Sequence, residues 1–382
     1  MKPRVAFVIE QALGHVAYGA SLRRALARRD DIEPVWIDVP FAPRGAGRLP
    51  LVRNNWTVRG SLEAARRIRA EHRRNPLDAM FLHTQTISLF AGGLMRGIPT
   101  LLSLDATPRN LDQLAGAYAH AVSPAPIERL KRAAHRRVMR RAKHFTTWSR
   151  WAKESLVAEY GVDGSRVTVV HPGTSMDTFP PRDEAARPAG QPLRLLFVGG
   201  DFARKGGDLL LDVYRQSLHQ TCELDLVTAA AVPSGDGVHV YNGLAPHSAE
   251  LLDLYRNADV FVLPTRGDCL AVVMGEAMAA SLPIITTTIG AHGEAVDDGA
   301  SGYLINIDDA NALRDRIQRL ANDRAMCARM GSRSREIGEL RFDMNRGAGQ
   351  IADLLVTLAS GGSTVDLEPR SAAFRATQED LS

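Results

Sequence analysis

Cysteine is scarce in this chain: Cys222, Cys269 and Cys327 are the whole supply in 382 residues, far apart and with no CxxC pair. That spacing argues against a disulfide framework or a cysteine zinc site and fits a reducing cytoplasm. Long apolar runs are missing too; none approaches the roughly 20 residues a membrane-spanning helix needs. The apolar stretch behind Lys2 and Arg4 is cut short by Glu10, so it reads as a first buried strand rather than a signal peptide. No GxGxxG follows that strand, which leaves a dinucleotide site without support where it should show. No DxD stands out, since Asp297-Asp298 and Asp308-Asp309 read as turn residues, and neither an obligatory metal nor a cofactor is expected.

What is present is ordinary in bulk. Hydrophobic residues make up 45% and charged residues 24%, a soluble globular composition, and the length suits two domains better than one core. Arg4 to Ile9 reads as a strand, Glu10 to Ala20 as a loop, Ser21 to Arg29 as a helix and Pro34 to Val39 as a second strand. This is the opening of a parallel, doubly wound sheet. Within the loop, Gly14-His15 permits close backbone approach to a ligand, with an ordinary turn as the plain alternative. Residues 40–60 are rich in Gly, Pro and Arg and predict a long loop facing a cleft. Helix Ser61 to Arg74 and strands Asp78 to His83 and Pro99 to Leu104 follow. Strand C-termini carry ligand groups in such sheets, which makes His83, Thr84 and Asp105 candidates for the cleft.

The net charge of +4 is unevenly spread. Pro126 to Lys153 is strongly basic, with Ile127, Leu130, Ala134, Val138 and Ala142 at an approximate helical period. Such a segment can lie on an anionic membrane or form a solvated outer face. Peripheral contact at the inner membrane face through 127–153 is therefore one expectation for an otherwise cytoplasmic protein. Nucleic acid is not an expected partner, because Trp148 and Trp151 are not interleaved through the basic run. Pro180 to Pro192 is polar and proline-rich, an interdomain linker. A second sheet starts at Leu193 to Val198 and repeats the first pattern: LRLLFVGG, loop DFARKGG, helix Asp208 to Ser217, strand Glu223 to Thr228. The expected domains are 1–179, 193–344, a final helix 345–360 that crosses back to the first domain, and a polar, disordered tail 361–382.

The chain's chemistry concentrates in Ala258 to Thr288, which reads as strand, tight loop, helix (Leu270 to Ala280) and strand. Asp268 and Glu276 bracket the junction of loop and helix. The amides of Cys269, Leu270, Ala271 and Val272 fall in a first helical turn, where they lack internal partners and suit an anion. An ionised carboxylate behind them suits ribose hydroxyls, which donate where it can only accept. Arg204-Lys205 ends an earlier strand, and two adjacent cations suit a diphosphate whose charge grows as it departs. A solvated turn is the plain alternative for that pair.

Taken together, FVGGDFARKGGDLLL, VHPGTSMDTF, YNGLAPHSAELLDLYRNADVFVLP, Asp268-x7-Glu276 with AMAASLPII, and IGAHGEAVDDGASGYLI resemble the retaining GT-B glycosyltransferases of family 4. The likeness covers about 165–340 well and the first half only in layout. It implies a GT-B fold of two Rossmann-like α/β domains facing a cleft, and transfer of a sugar from a UDP- or GDP-sugar to an acceptor hydroxyl with retention. By the same resemblance Glu276 would hold the ribose and Asp268 would contact the donor sugar. Arg204 and Lys205 would stabilise the diphosphate, helped by amides near Gly14 and at Leu270 to Val272. Three positions depart from the family pattern. Gly200 stands where an Arg is expected, Asp268 where a Glu is, and Asp105 where a His commonly sits beside the sugar, with His15 or His83 as stand-ins. A catalytically degenerate binding or scaffolding protein is the alternative these departures motivate. A nucleotide-sugar epimerase fits the motifs less well.

Overall fold

The computed structural model describes residues 2–12, 14–41, 55–114, 116–117, 124–179 and 190–364. Parts of three expected segments lie outside the described residues: 42–54 of the long loop, 180–189 of the linker and 365–382 of the tail.

The first domain alternates strands and helices: β1 (Arg4–Gln11), α1 (His15–Leu26), β2 (Glu33–Pro40), α2 (Trp56–Arg74), β3 (Ala79–His83), β4 (Thr100–Leu104), α3 (Pro108–Gln113), α4 (Ala125–Met139), β5 (His144–Thr147), α5 (Arg150–Tyr160) and β6 (Val167–Val169). The strands form one parallel sheet in the order β2-β1-β3-β4-β5-β6. Their apolar runs are buried on both faces, which is why β1 and β3 show no polar alternation.

The second domain repeats the plan with β7 (Leu193–Val198), α6 (Gly207–Val213), β8 (Cys222–Val227), β9 (Val238–Tyr241), α7 (Ala249–Asn257), β10 (Val260–Leu263), α8 (Val273–Ala279), β11 (Ile284–Thr287), β12 (Gly302–Ile305), α9 (Ala310–Asn322) and α10 (Arg324–Ile337). Its parallel order is β12-β11-β10-β7-β8-β9. Strand order reverses between β1 and β3 in one sheet and between β7 and β10 in the other. Ligands of open α/β sheets bind beyond the strand C-termini at such reversals.

A last helix, α11 (Met344–Ala359), leaves the second domain and packs in the first. Its Ile351, Leu355 and Leu358 join Val5, Phe7 and Leu22 in one buried cluster.

Several boundaries differ from expectation. Helix α2 starts at Trp56 instead of Ser61, so residues 56–60 of the expected loop are helical, with the Asn55 side chain accepting from the Val58 amide as the cap. Helix α1 starts at His15 instead of Ser21, because Tyr18 is buried and Gly19 packs close on Ile9; tertiary packing overrides the weak helix propensity of glycine. Helix α8 starts at Val273 instead of Leu270. The Cys269 carbonyl is already taken by the Ala291 amide at 2.8 Å, outside any helix. The basic segment is not one helix: α4 ends at Met139, and the fully buried strand β5 interrupts it before α5. The tail is ordered at least to Thr364, which is buried with its hydroxyl 2.8 Å from His144 Nδ1.

Candidate active site

The turn after β7 is shaped by one glycine. Gly206 has φ 75°, and a Cβ there would lie 2.0 Å from the Pro264 carbonyl oxygen. Only glycine lets the turn press against the end of β10. That contact sets two cations against the β10 loop. The Arg204 guanidinium donates to the Gly267 carbonyl (2.7 Å) and pairs with Asp201 (3.0 Å). The Lys205 ammonium pairs with the Asp268 carboxylate. Burial alone would push the Asp268 carboxyl up; Lys205, His292 and Arg204 outweigh it and hold it below its usual value.

Beyond Asp268 the chain runs through Cys269 to Val272 with side chains turned largely inward. Gly290, at φ 55°, backs this loop; a Cβ there would meet the carbonyl oxygens of Asp268 and Cys269 at 2.4 and 2.5 Å. Among the described residues nothing accepts from the amides of Cys269, Leu270, Ala271 or Val272. They are open because they precede α8, not because they form its first turn. Glu276 follows inside α8, buried; burial pushes its carboxyl up to about 7 against the opposing Tyr255 hydroxyl.

His292 lies under the same loop, wholly buried. The Thr286 hydroxyl donates to the Leu263 carbonyl at 2.8 Å, so His292 Nδ1, 2.9 Å away, carries the ring proton and donates to Thr286. Its Nε2 is then a bare acceptor with no partner. Burial holds the ring down at about 4, against the opposing charge of Asp268.

The first domain contributes the ends of β1, β3 and β4. Ser103 Oγ, the His83 ring and the His15 ring connect in series at 3.0 and 2.8 Å, and His15 Nε2 faces Glu10 at 3.2 Å and Asp105 at 3.8 Å. Trp148 stacks on His83. Glu10 also accepts from the Trp56 indole (2.9 Å) and the Thr84 hydroxyl (3.2 Å). Burial raises its carboxyl and pushes the His83 imidazole well down.

The two halves meet. Gly14 lies against Val272, and Ala106, Leu114 and Cys269 form a small apolar cluster across the cleft. Glu294 of the second domain accepts from the Arg150 and Trp151 amides at 2.8 and 2.9 Å, capping α5 of the first. Arg204, Lys205, Asp268, Cys269 to Val272, Gly14, His15 and Asp105 thus gather around one cleft. Gly200 is exposed with open space around it. His83 and Thr84, expected as ligand contacts, are buried with their polar atoms spent on Ser103, His15 and Glu10. They support the cleft wall and do not form its surface. Glu10, His247, His292 and Glu294 went unassigned in the sequence. Only Glu10 carried a local signal, as a charge ending a buried apolar strand. Among the described residues no three His, Cys, Asp or Glu side chains gather in a metal-holding group, and no helix is long and apolar enough to cross a membrane.

The family model "Glycosyltransferase Family 4" matches residues 14–178 and "Glycosyl transferases group 1" matches 192–323, together most of the chain. The chain belongs to the family 4 glycosyltransferases. Among curated family members it is 31% identical over 227 residues to a D-inositol 3-phosphate glycosyltransferase of Streptomyces avermitilis, covering 53% of this chain and 49% of that protein. A namesake from Catenulispora acidiphila is 32% identical over 198 residues, covering 45% of this chain and 47% of that protein. The chain spans about half the length of the curated relatives it matches. The fold is GT-B. Sucrose-phosphate synthase from Thermosynechococcus elongatus superposes with TM-score 0.74 at 19% identity, over 94% of this chain and 100% of the other. Anabaena HepE, solved with UDP and glucose, superposes with TM-score 0.67 at 15% identity, over 93% and 100%.

Proposed function

We propose that this glycosyltransferase moves a sugar from a nucleoside-diphosphate sugar to an acceptor hydroxyl with retention of anomeric configuration. The observation that carries the reading is the placement of Lys205 and Glu276 behind the two strands that flank the reversal in the second sheet. A cation and a ribose-type acid stand there on either side of open loop amides. In the proposed reaction the bond from the sugar's C1 to the diphosphate oxygen breaks as the acceptor oxygen bonds C1 from the same face. The acceptor proton passes to the departing diphosphate. Arg204, Lys205 and the amides of Leu270 to Val272 stabilise the charge developing on that group. Asp268, ionised by Lys205, accepts from donor-sugar hydroxyls. The ends of β1 and β4, with His15 and Asp105, bound the sugar from the first domain.

The acceptor class is open to a direct screen. The relatives' name makes inositol 3-phosphate one compound to include. Helix α4 carries an exposed apolar and basic surface: Leu130 is 72% and Ile127 48% exposed, beside Arg129, Arg132, Arg136 and Arg140 around a hollow of about 630 Å³. Peripheral contact with anionic lipid through this helix suits a lipid-linked acceptor.

The test is turnover of UDP- and GDP-sugars with a panel of acceptors, reading the product anomer by NMR. The proposal expects one donor to be consumed and its configuration kept. A donor that binds tightly yet is never turned over would leave a degenerate binding protein in its place, as the departures at Gly200 and Asp105 motivate.

A further inference from the structure

His247 lies in the loop between β9 and α7, next to Ser248, whose hydroxyl caps α7. Its backbone is left-handed at φ 61°, unusual for a residue other than glycine, and its side chain is 7% exposed. The ring points two ways. Nδ1 is 4.0 Å from Glu276 Oε1 in the second domain. Nε2 is 3.3 Å from the hydroxyl of Ser21 on α1 in the first. Nε2 accepts the Ser21 hydroxyl proton, and Nδ1–H faces the carboxylate from beyond hydrogen-bond distance, an arrangement that a neutral imidazole suits. Burial, then Arg24 on α1, favours that neutral form. The Tyr255 hydroxyl, on the same segment as His247, also reaches Glu276. Residues 247–255 therefore line the ribose-type acid while touching the opposite domain.

We infer that His247 is a positioning residue that couples closure of the two domains to the orientation of Glu276 through a Ser21–His247–Glu276 bridge. This rests on the reading of Glu276 as the ribose acid. In the closed arrangement Ser21 fixes the ring, and the ring fixes the carboxylate where ribose hydroxyls donate to it. Opening the cleft removes Ser21, frees the imidazole and loosens the carboxylate. Nucleotide held on Glu276 correspondingly favours the closed arrangement, as reciprocal linkage requires.

The experiment compares wild type with Ser21→Ala and His247→Phe. Affinities for UDP, GDP and inorganic pyrophosphate are measured by calorimetry. The distance between spin labels on introduced cysteines, one per domain, is measured with and without nucleotide; the three native cysteines are buried. A single lost hydrogen bond predicts roughly three- to tenfold weaker nucleotide binding in each variant. Pyrophosphate, having no ribose, binds all three proteins equally, and the interdomain distances broaden in the variants. Wild-type nucleotide affinity and wild-type distances in Ser21→Ala would overturn the bridge, whatever becomes of the folding of His247→Phe. Absence of UDP and GDP binding in wild type would instead defeat the nucleotide reading. The spin-label distances then decide the bridge alone: broadening supports it and wild-type widths refute it.

Discussion

Replacing Glu276 by Gln tests whether the ribose acid is held at a standing cost to the fold. The side chain is buried, and burial raises its carboxyl from 4.5 to about 7. At about 1.4 kcal/mol per pH unit, that difference amounts to about 3 kcal/mol of stability. The sign follows from proton binding. Between 4.5 and about 7 the folded chain holds a proton that the unfolded chain has released. Wild-type stability is therefore full below the unfolded value, falls as pH rises through this window, and carries the whole penalty above it. Gln keeps the shape of the protonated carboxyl without the titration. Glu276→Gln is thus expected to match wild type near pH 4 and to exceed it by about 3 kcal/mol at pH 8. Urea unfolding of both proteins across this range measures the difference, and other titrating groups cancel in the comparison. The same variant is expected to lose nucleotide affinity, because Gln replaces an acceptor-only group by one that also donates. A variant less stable than wild type at pH 8, or a difference indifferent to pH, would refute the reasoning.

Other perturbations probe the rest of the cleft. Gly206→Ala drives a Cβ toward the Pro264 carbonyl and is expected to cost several kcal/mol; the urea midpoint reads it. Lys205→Met leaves the buried Asp268 charge without its nearest partner, an expected loss of about 3 kcal/mol. Adding Asp268→Asn should recover more than half of it in a double-mutant cycle. Glu294→Ala removes two charge-assisted bonds to α5 and should widen the interdomain angle seen by solution scattering. Arg129→Glu with Arg140→Glu should lower binding to vesicles containing anionic lipid at least tenfold, at about 1 kcal/mol per charge, and leave neutral vesicles unaffected.

The alternation of buried strands with helices was legible because each strand is a short, doubly covered apolar run: Val5 to Ile9, Leu193 to Val198 and Val260 to Leu263 stand out locally. Helix ends were harder. Gly19 looks like loop punctuation until Ile9 is seen against it, and Leu270 to Val272 look helical until the Ala291 amide takes the Cys269 carbonyl and Gly290 packs behind it. The site divides the same way. Lys205, Asp268 and Glu276 sit inside compact motifs whose spacing declares them. Glu294 and His247 act on partners 144 and 226 residues away, and no local pattern points across such a distance. His83 misled for a related reason: a strand end predicts the edge of a cleft, but Trp148, Ser103 and His15 together enclose it.

Helix α11 has a consequence for how this chain comes into being. Met344, Ala348, Ile351, Leu355 and Leu358 complete the apolar cluster that lies against β1 and α1, yet they leave the ribosome only after the whole second domain. A nascent chain that has emitted only residues 1–179 presents Val5, Phe7, Leu22 and Leu26 without that cover. At roughly 5–20 residues per second the wait is roughly ten to forty seconds, during which the second domain can fold by itself. The domain that begins first is finished last, and a ribosome stalled before Met344 would display an adhesive surface to its neighbours.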